Sequence, residues 1–259
     1  SEKLIKIFDE IQSNDMNTHS LLVIRNRHIV LEAYFDPYTR ESKHCQFSCT
    51  KSIISALIGI ALREGCLDSI DRKVLDFFPE YTFSNQDPRK QAMTLKDLLT
   101  MTSGLQWDDN GHFREFIESS NWIRYILDKP MVQEPGSVFN YNSGASHLLS
   151  AILHKVTGMS TKEFADKYLF GPLGITDYYW RTDPQGIYTG GFGLYLKPLD
   201  MAKFGELYLN MGSWEGEQLV PEEWVKESTR PQVASNGYAY HWWTYPSGAY
   251  RASGFGGQK

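Results

Sequence analysis

Between Phe47 and Gly65 the chain reads FSCTKSIISALIGIALREG, and from Ile53 to Leu62 only Ser55 and Gly59 interrupt the apolar run. That run is roughly half the ~20 residues a membrane span needs. It predicts a helix buried on all sides, beginning near Ser48. Residues 2–13 place Leu4, Ile7, Phe8 and Ile11 at helical spacing and predict an amphipathic first helix. In SLLVIRNRHIVLEAYF two β-type runs flank Arg25-Asn26-Arg27, the pattern of a hairpin. TLKDLLTMTSG predicts a short helix opened by Thr94 and closed by Gly104, and SHLLSAILHKVTG one with an apolar stripe that stops at Gly158. KEFADKYLFGPLG predicts a further helix ending in a Gly-Pro turn, and PLDMAKFGELYLNMG one with Pro198 in its first turn and Gly212 at its exit. AYHWWTYPSGAYRASGFGG has the aromatic density and Pro-Ser-Gly turn of a second hairpin.

Strands thus lie near both ends and helices between them. The expected fold class is α/β (α+β): one antiparallel sheet built from both termini, flanked by helices, with a mostly helical segment inserted between its halves. The expected division is 1–65 and 181–259 for the two parts of the α/β domain and 66–180 for the helical domain.

Composition narrows the function classes. The 259 residues are 41% hydrophobic and 22% charged, ordinary for a globular protein, and long enough to bury a full core. A net charge of -5 without a basic cluster argues against nucleic acid as a partner. Three cysteines (Cys45, Cys49, Cys66) give no disulfide framework and suggest a reducing, cytoplasmic compartment, although a processed secreted chain would look the same. Cys45 and Cys49 share a helical spacing, but none of the seven histidines stands at metal-ligand spacing from them; no metal and no cofactor is expected.

The candidate chemistry lies at the mouth of the apolar helix. Ser48-Cys49-Thr50-Lys51 is the one Ser-x-x-Lys in the chain. Residues three apart on a helix share a face with Cβ atoms about 5–6 Å apart, so the Lys51 amine can reach the Ser48 hydroxyl. Serving as a base near pH 7 means moving a lysine down by up to ~3.4 units from about 10.4, or roughly 4.6 kcal/mol, for which burial is the available means. By spacing alone, the pair also fits a serine helix cap followed by a lysine that snorkels. Two further stretches bear on the choice. Tyr141-Asn142-Ser143 sits in a turn before an amphipathic helix, where a tyrosine beside a lysine can share its proton. Gly254, Gly256 and Gly257 in SGFGGQ let backbone N–H groups approach a carbonyl oxygen.

FSCTKS, YNS and FGG, in this order, resemble the three motifs of the serine β-lactamase and penicillin-binding-protein superfamily. The similarity is closest to its class C-like branch of family VIII carboxylesterases, D-aminopeptidases, DD-peptidases and 6-aminohexanoate-dimer hydrolases. TLKDLLTMTSGL, EPGSVFNYNSG, VTGMS, FGPLGI and LKPLDMAKFGELYLNMG resemble the stretches between those motifs. The resemblance implies Ser48 as acylated nucleophile, Lys51 as its proton partner, and Tyr141 as the base or acid serving the leaving group. It also implies an oxyanion hole from the Ser48 and Gln258 backbone N–H groups, with Ser143 supporting Lys51 or the substrate amide.

Phe255 stands where relatives carry a lysine or histidine that holds a substrate carboxylate, which favours esters and amides over β-lactams and peptide C-termini. Phe255, Gly256, Gly257, Trp107 and Trp180 are candidates to line the substrate pocket, with Trp242, Trp243 and Tyr178 as further aromatic candidates. Relatives continue past the third motif with more strands and a helix, so the chain is expected to be a fragment or to be completed separately. The sequence reading is therefore a serine hydrolase of a small ester or amide. The alternatives are a β-lactamase or DD-peptidase and a catalytically silent, penicillin-binding-like sensor or interaction domain. Oligomeric state is open.

Overall fold

The computed structural model describes residues 2–233 and 237–259. The first apolar stripe forms α1 (Glu2–Ser13). β1 (Ser20–Arg25) and β2 (His28–Tyr34) then pair antiparallel. Their tight turn holds Asn26 and Arg27 at φ 50° and 64°, the left-handed pair whose twist matches that of the strands it joins. β3 (His44–Cys45) leads through a 3₁₀ turn (Phe47–Cys49) into α2 (Thr50–Arg63). The middle of the chain carries α3 (Leu95–Leu99), α4 (Phe113–Glu118), α5 (Trp122–Leu127), α6 (Ser143–Thr157) and α7 (Thr161–Ala165). β4 (Tyr179–Trp180), β5 (Leu194–Leu196), α8 (Pro198–Leu209), β6 (Ser213–Trp214), β7 (Glu217–Gln218), α9 (Glu222–Thr229), β8 (Trp243–Thr244) and β9 (Tyr250–Arg251) follow.

α2 is buried from Thr50 to Ala61 and packs against α6 and α9. Each of its isoleucines and leucines, taken out of water, stabilises the fold by about 1.5–3 kcal/mol. Gly59 is what lets α9 approach: a Cβ there would lie 2.3 Å from the Trp224 ring, whose Nε1 donates to the Ser55 carbonyl at 2.9 Å. Asn142 caps α6 by accepting the Ala145 N–H at 2.9 Å, and Gly158 ends it at φ 66°. α3 has the reciprocal Thr94–Asp97 cap but stops at Thr100, short of Gly104, because Met101 turns to φ 60°.

Among the described residues every strand pairing is antiparallel, as expected, and β3 of the N-terminal part pairs with β5 of the C-terminal part. The strands are spread over four small sheets, β1-β2, β3-β5-β4, β6-β7 and β8-β9. Among the described residues β1 pairs only with β2, and a cleft of about 1000 Å³ lies between α1, β1, α8 and the last residues. Beyond β9 the chain folds back, Gly254 N–H donating to Gln258 O at 2.9 Å and Gly257 N–H to Gly254 O at 3.1 Å. Gly254, Gly256 and Gly257 therefore lie in a turn. No helix of the described residues is long and apolar enough to cross a membrane.

Candidate active site

Ser48 is set by its neighbours on both sides. Gln46 N–H donates to Leu194 O at 2.8 Å, tying the end of β3 to β5. Phe47 then takes φ 43°, an unusual backbone for a bulky residue, and the 3₁₀ turn carries Ser48 half-buried to the start of α2. Thr50 Oγ1 donates to Phe47 O at 2.6 Å and braces that turn. Cys49, beside Ser48, is buried, and burial pushes its thiol up to about 12, so it does not compete as a thiolate nucleophile.

Lys51, one turn further, is 1% exposed. Its Nζ lies 3.0 Å from Ser48 Oγ, 3.2 Å from Ser143 Oγ and 2.7 Å from the Gly191 carbonyl oxygen. An ammonium has three N–H groups, and this pocket offers one acceptor to each. Ser143 can accept from Lys51 because its own proton is engaged elsewhere: its Oγ donates to Asp109 Oδ2 at 3.1 Å. The other Asp109 oxygen accepts the Ser143 N–H at 3.4 Å and the indole N–H of Trp107. A lone buried lysine would be costly, but here it is fully hydrogen-bonded and linked through Ser143 to a carboxylate.

The Tyr141 ring lies 4.8 Å from Lys51 Nζ, so the aromatic face and not the hydroxyl meets the cation. Trp243 stacks on Tyr141 at 6.0 Å and 19°. Behind Lys51 stands His241, buried and at φ 61°. Its Nδ1 lies 3.2 Å from Lys51 O, which can only accept, and its Nε2 lies 3.3 Å from Ser146 Oγ. Nδ1 therefore carries the proton, and the neutral ring ties the first turn of α2 to that of α6. Burial, and then the charge of Lys51, hold His241 down at about 3.

The third stretch is placed differently from the sequence reading. Phe255 sits at the tip of the 254–257 turn and is 93% exposed, with its ring tilted against that of Phe47 at 6.1 Å. A Cβ on Gly254 would lie 2.8 Å from Gln46 O and one on Gly256 3.2 Å from the Phe47 ring, so the turn lies flush on the residues that lead to Ser48. Among the described residues the Gln258 N–H has no protein acceptor. Trp180 is core: its Nε1 donates to Thr189 O at 2.9 Å and its ring packs on Phe170 and Tyr188. Trp242 is also core, stacked on Phe204, and Tyr178 donates its hydroxyl to Asp166. Trp107 is buried and serves the site through Asp109. Asp109, Gly191 and His241 were not singled out from the sequence; the one local hint was the acidic pair in SGLQWDD.

A half-buried serine hydroxyl, a buried amine 3.0 Å away and a Gln258 N–H that is unpaired among the described residues form an arrangement suited to acyl transfer. The chain belongs to the Beta-lactamase family, whose model matches residues 4–259. It is 23% identical over 249 residues to a 6-aminohexanoate-dimer hydrolase of Paenarthrobacter ureafaciens, covering 90% of this chain and 62% of that protein. It is 28% identical over 145 residues to the esterase EstB of Burkholderia gladioli, covering 50% of this chain and 36% of EstB. The octameric penicillin-binding protein homologue from Pyrococcus abyssi superposes with a TM-score of 0.72 at 22% identity, over 93% of this chain and 64% of that one. The chain thus spans less than two thirds of the length of these two curated relatives.

Proposed function

We propose that the protein is a serine hydrolase that opens carboxylic esters or amides through an acyl-enzyme on Ser48. The observation that carries this is the buried Lys51 held 3.0 Å from the Ser48 hydroxyl, with its two other acceptors supplied by Ser143 and Gly191. In acylation the Ser48 oxygen bonds to the acyl carbon. Its proton passes to Lys51, and Tyr141, whose ring lies against that amine, serves the departing alcohol oxygen or amine nitrogen as that bond breaks and the proton is delivered to it. Water then attacks the acyl-serine, releases the acid and returns a proton to Ser48. The Ser48 and Gln258 backbone N–H groups take the developing oxyanion. Asp109 keeps the Ser143 proton turned away from Lys51, so the amine retains that acceptor throughout.

The names of the relatives, an amide-dimer hydrolase and an esterase, support the substrate class. So does Phe255, which brings no cation to hold a substrate carboxylate. The test is a panel of short-chain p-nitrophenyl esters, anilides and nitrocefin, with Ser48→Ala as control. Ester turnover that disappears in Ser48→Ala, with slow nitrocefin turnover, is expected. Nitrocefin as the fastest substrate would replace this reading with a β-lactamase. No turnover of any substrate and no covalent labelling of folded protein would leave the silent penicillin-binding-like reading.

A further inference from the structure

His147 and Asp183 are a fully buried pair that the chemistry above does not use: His147 Nε2 lies 3.0 Å from Asp183 Oδ2, and both side chains are 0% exposed. Burying an acid and an imidazole together is expensive unless each polar atom is matched, and here each is. Asp183 Oδ1 accepts the Gln185 and Ile187 N–H groups, both at 2.8 Å. His147 Nδ1 lies 3.4 Å from Gly190 N, which can only donate. Nδ1 is therefore the bare nitrogen and Nε2 carries the proton that goes to Asp183, so the carboxylate fixes the tautomer and the tautomer holds Gly190.

The next residue is Gly191, whose carbonyl makes the shortest of the three Lys51 bonds, 2.7 Å. The strap carrying these glycines lies flush on the first turn of α6. A Cβ on Gly190 would be 2.2 Å from Ser146 O, and one on Gly191 2.7 Å from Ser143 O. A small displacement of this strap is therefore felt directly at Lys51.

We propose that His147 and Asp183 are positioning residues: through the imidazole tautomer they hold the Gly190–Gly191 strap so that the Gly191 carbonyl faces the Lys51 amine. This rests on the reading of Lys51 as the proton partner of Ser48. Asp183→Asn isolates the device. The amide oxygen stays on the Gln185 and Ile187 N–H groups, which leaves its NH₂ facing His147 Nε2. The imidazole must then move its proton to Nδ1, where it points at the Gly190 N–H and pushes the strap off. The charged form of Lys51 loses one acceptor.

Two readouts test this: the His147 tautomer by long-range ¹H–¹⁵N NMR, and the pH profile of Ser48 labelling by a fluorophosphonate. The wild type should carry its His147 proton on Nε2. In Asp183→Asn it should move to Nδ1, labelling should slow on the order of tenfold, and the pH profile of labelling should shift from that of the wild type. If Asp183→Asn does not fold, His147→Gln keeps a donor for Asp183 but offers Gly190 no acceptor. The same slowing and the same shift are expected there. A wild-type proton on Nδ1, or a folded variant with the wild-type rate and profile, overturns the proposal. A wild type that never labels instead refutes the serine-hydrolase reading, while the tautomer still decides whether the clasp exists.

Discussion

On one side of Ser48, Lys51 is 1% exposed and directs its N–H groups at three protein oxygens, each on a different element. On the other side, Phe255 is 93% exposed at the tip of a glycine turn, and among the described residues Gln258 Oε1 is buried without a hydrogen-bond partner. The Lys51 wall is built into α2, α6 and the strap, where moving one group disturbs several others. The 254–258 wall is a short turn resting on Gln46 and Phe47, with two internal backbone bonds. The contrast locates preorganisation: the proposed nucleophile and its amine are fixed by the fold, whereas the groups proposed to receive the oxyanion rest on a segment with little packing of its own.

The largest way to break this contrast is at the amine. Lys51→Met keeps the volume and removes the N–H groups, leaving Ser48 without a proton partner. Its fluorophosphonate labelling rate should fall on the order of 10²–10⁴-fold, with circular dichroism unchanged.

Acid should attack the same wall. The buried His241 is neutral when folded and held at about 3, whereas in the unfolded chain it titrates at its ordinary 6.5. Above pH 6.5 neither state takes the proton. Below it the unfolded state does and the native state does not, so stability is lost progressively from pH 6.5 down towards 3. Urea midpoints measured across that window should fall by the equivalent of a few kcal/mol, and His241→Gln should flatten the dependence.

A packing test comes next. Gly59→Ala places a methyl 2.3 Å from the Trp224 ring and should destabilise by about 1–3 kcal/mol, read as a lower melting temperature. The smallest effect belongs to the other wall: Phe255→Ala should change stability by no more than about 0.5 kcal/mol. By hydrogen exchange, the amides of 254–258 should open well before those of α2.

The legible parts of this molecule were those written in neighbouring residues. The apolar run predicts α2, Asn142 and Gly158 bracket α6, and Ser48 and Lys51 face each other because a helix turn places them so. The YNS turn was visible for the same reason. The rest of the pocket is assembled from far apart: Asp109 is 34 residues from Ser143, Gly191 is 140 from Lys51 and His241 is 190 from it. No spacing rule reports such pairs. Glycines gave the other difficulty, since those at 254, 256 and 257 permit a strand edge and a turn equally, and only the bonds made around Gly254 decide for the turn. Trp180 illustrates a third limit: an aromatic residue near motif-like sequence reads the same whether it lines a pocket or, as here, donates into the core at Thr189.

The central claim is that Ser48 is the residue that takes the acyl group. Intact mass spectrometry after incubation with a fluorophosphonate tests it most directly, with peptide mapping to place the adduct. A single adduct on Ser48, absent from folded Ser48→Ala, is the predicted result. An adduct on another residue, equal labelling of the alanine variant, or no adduct on folded wild-type protein would contradict it.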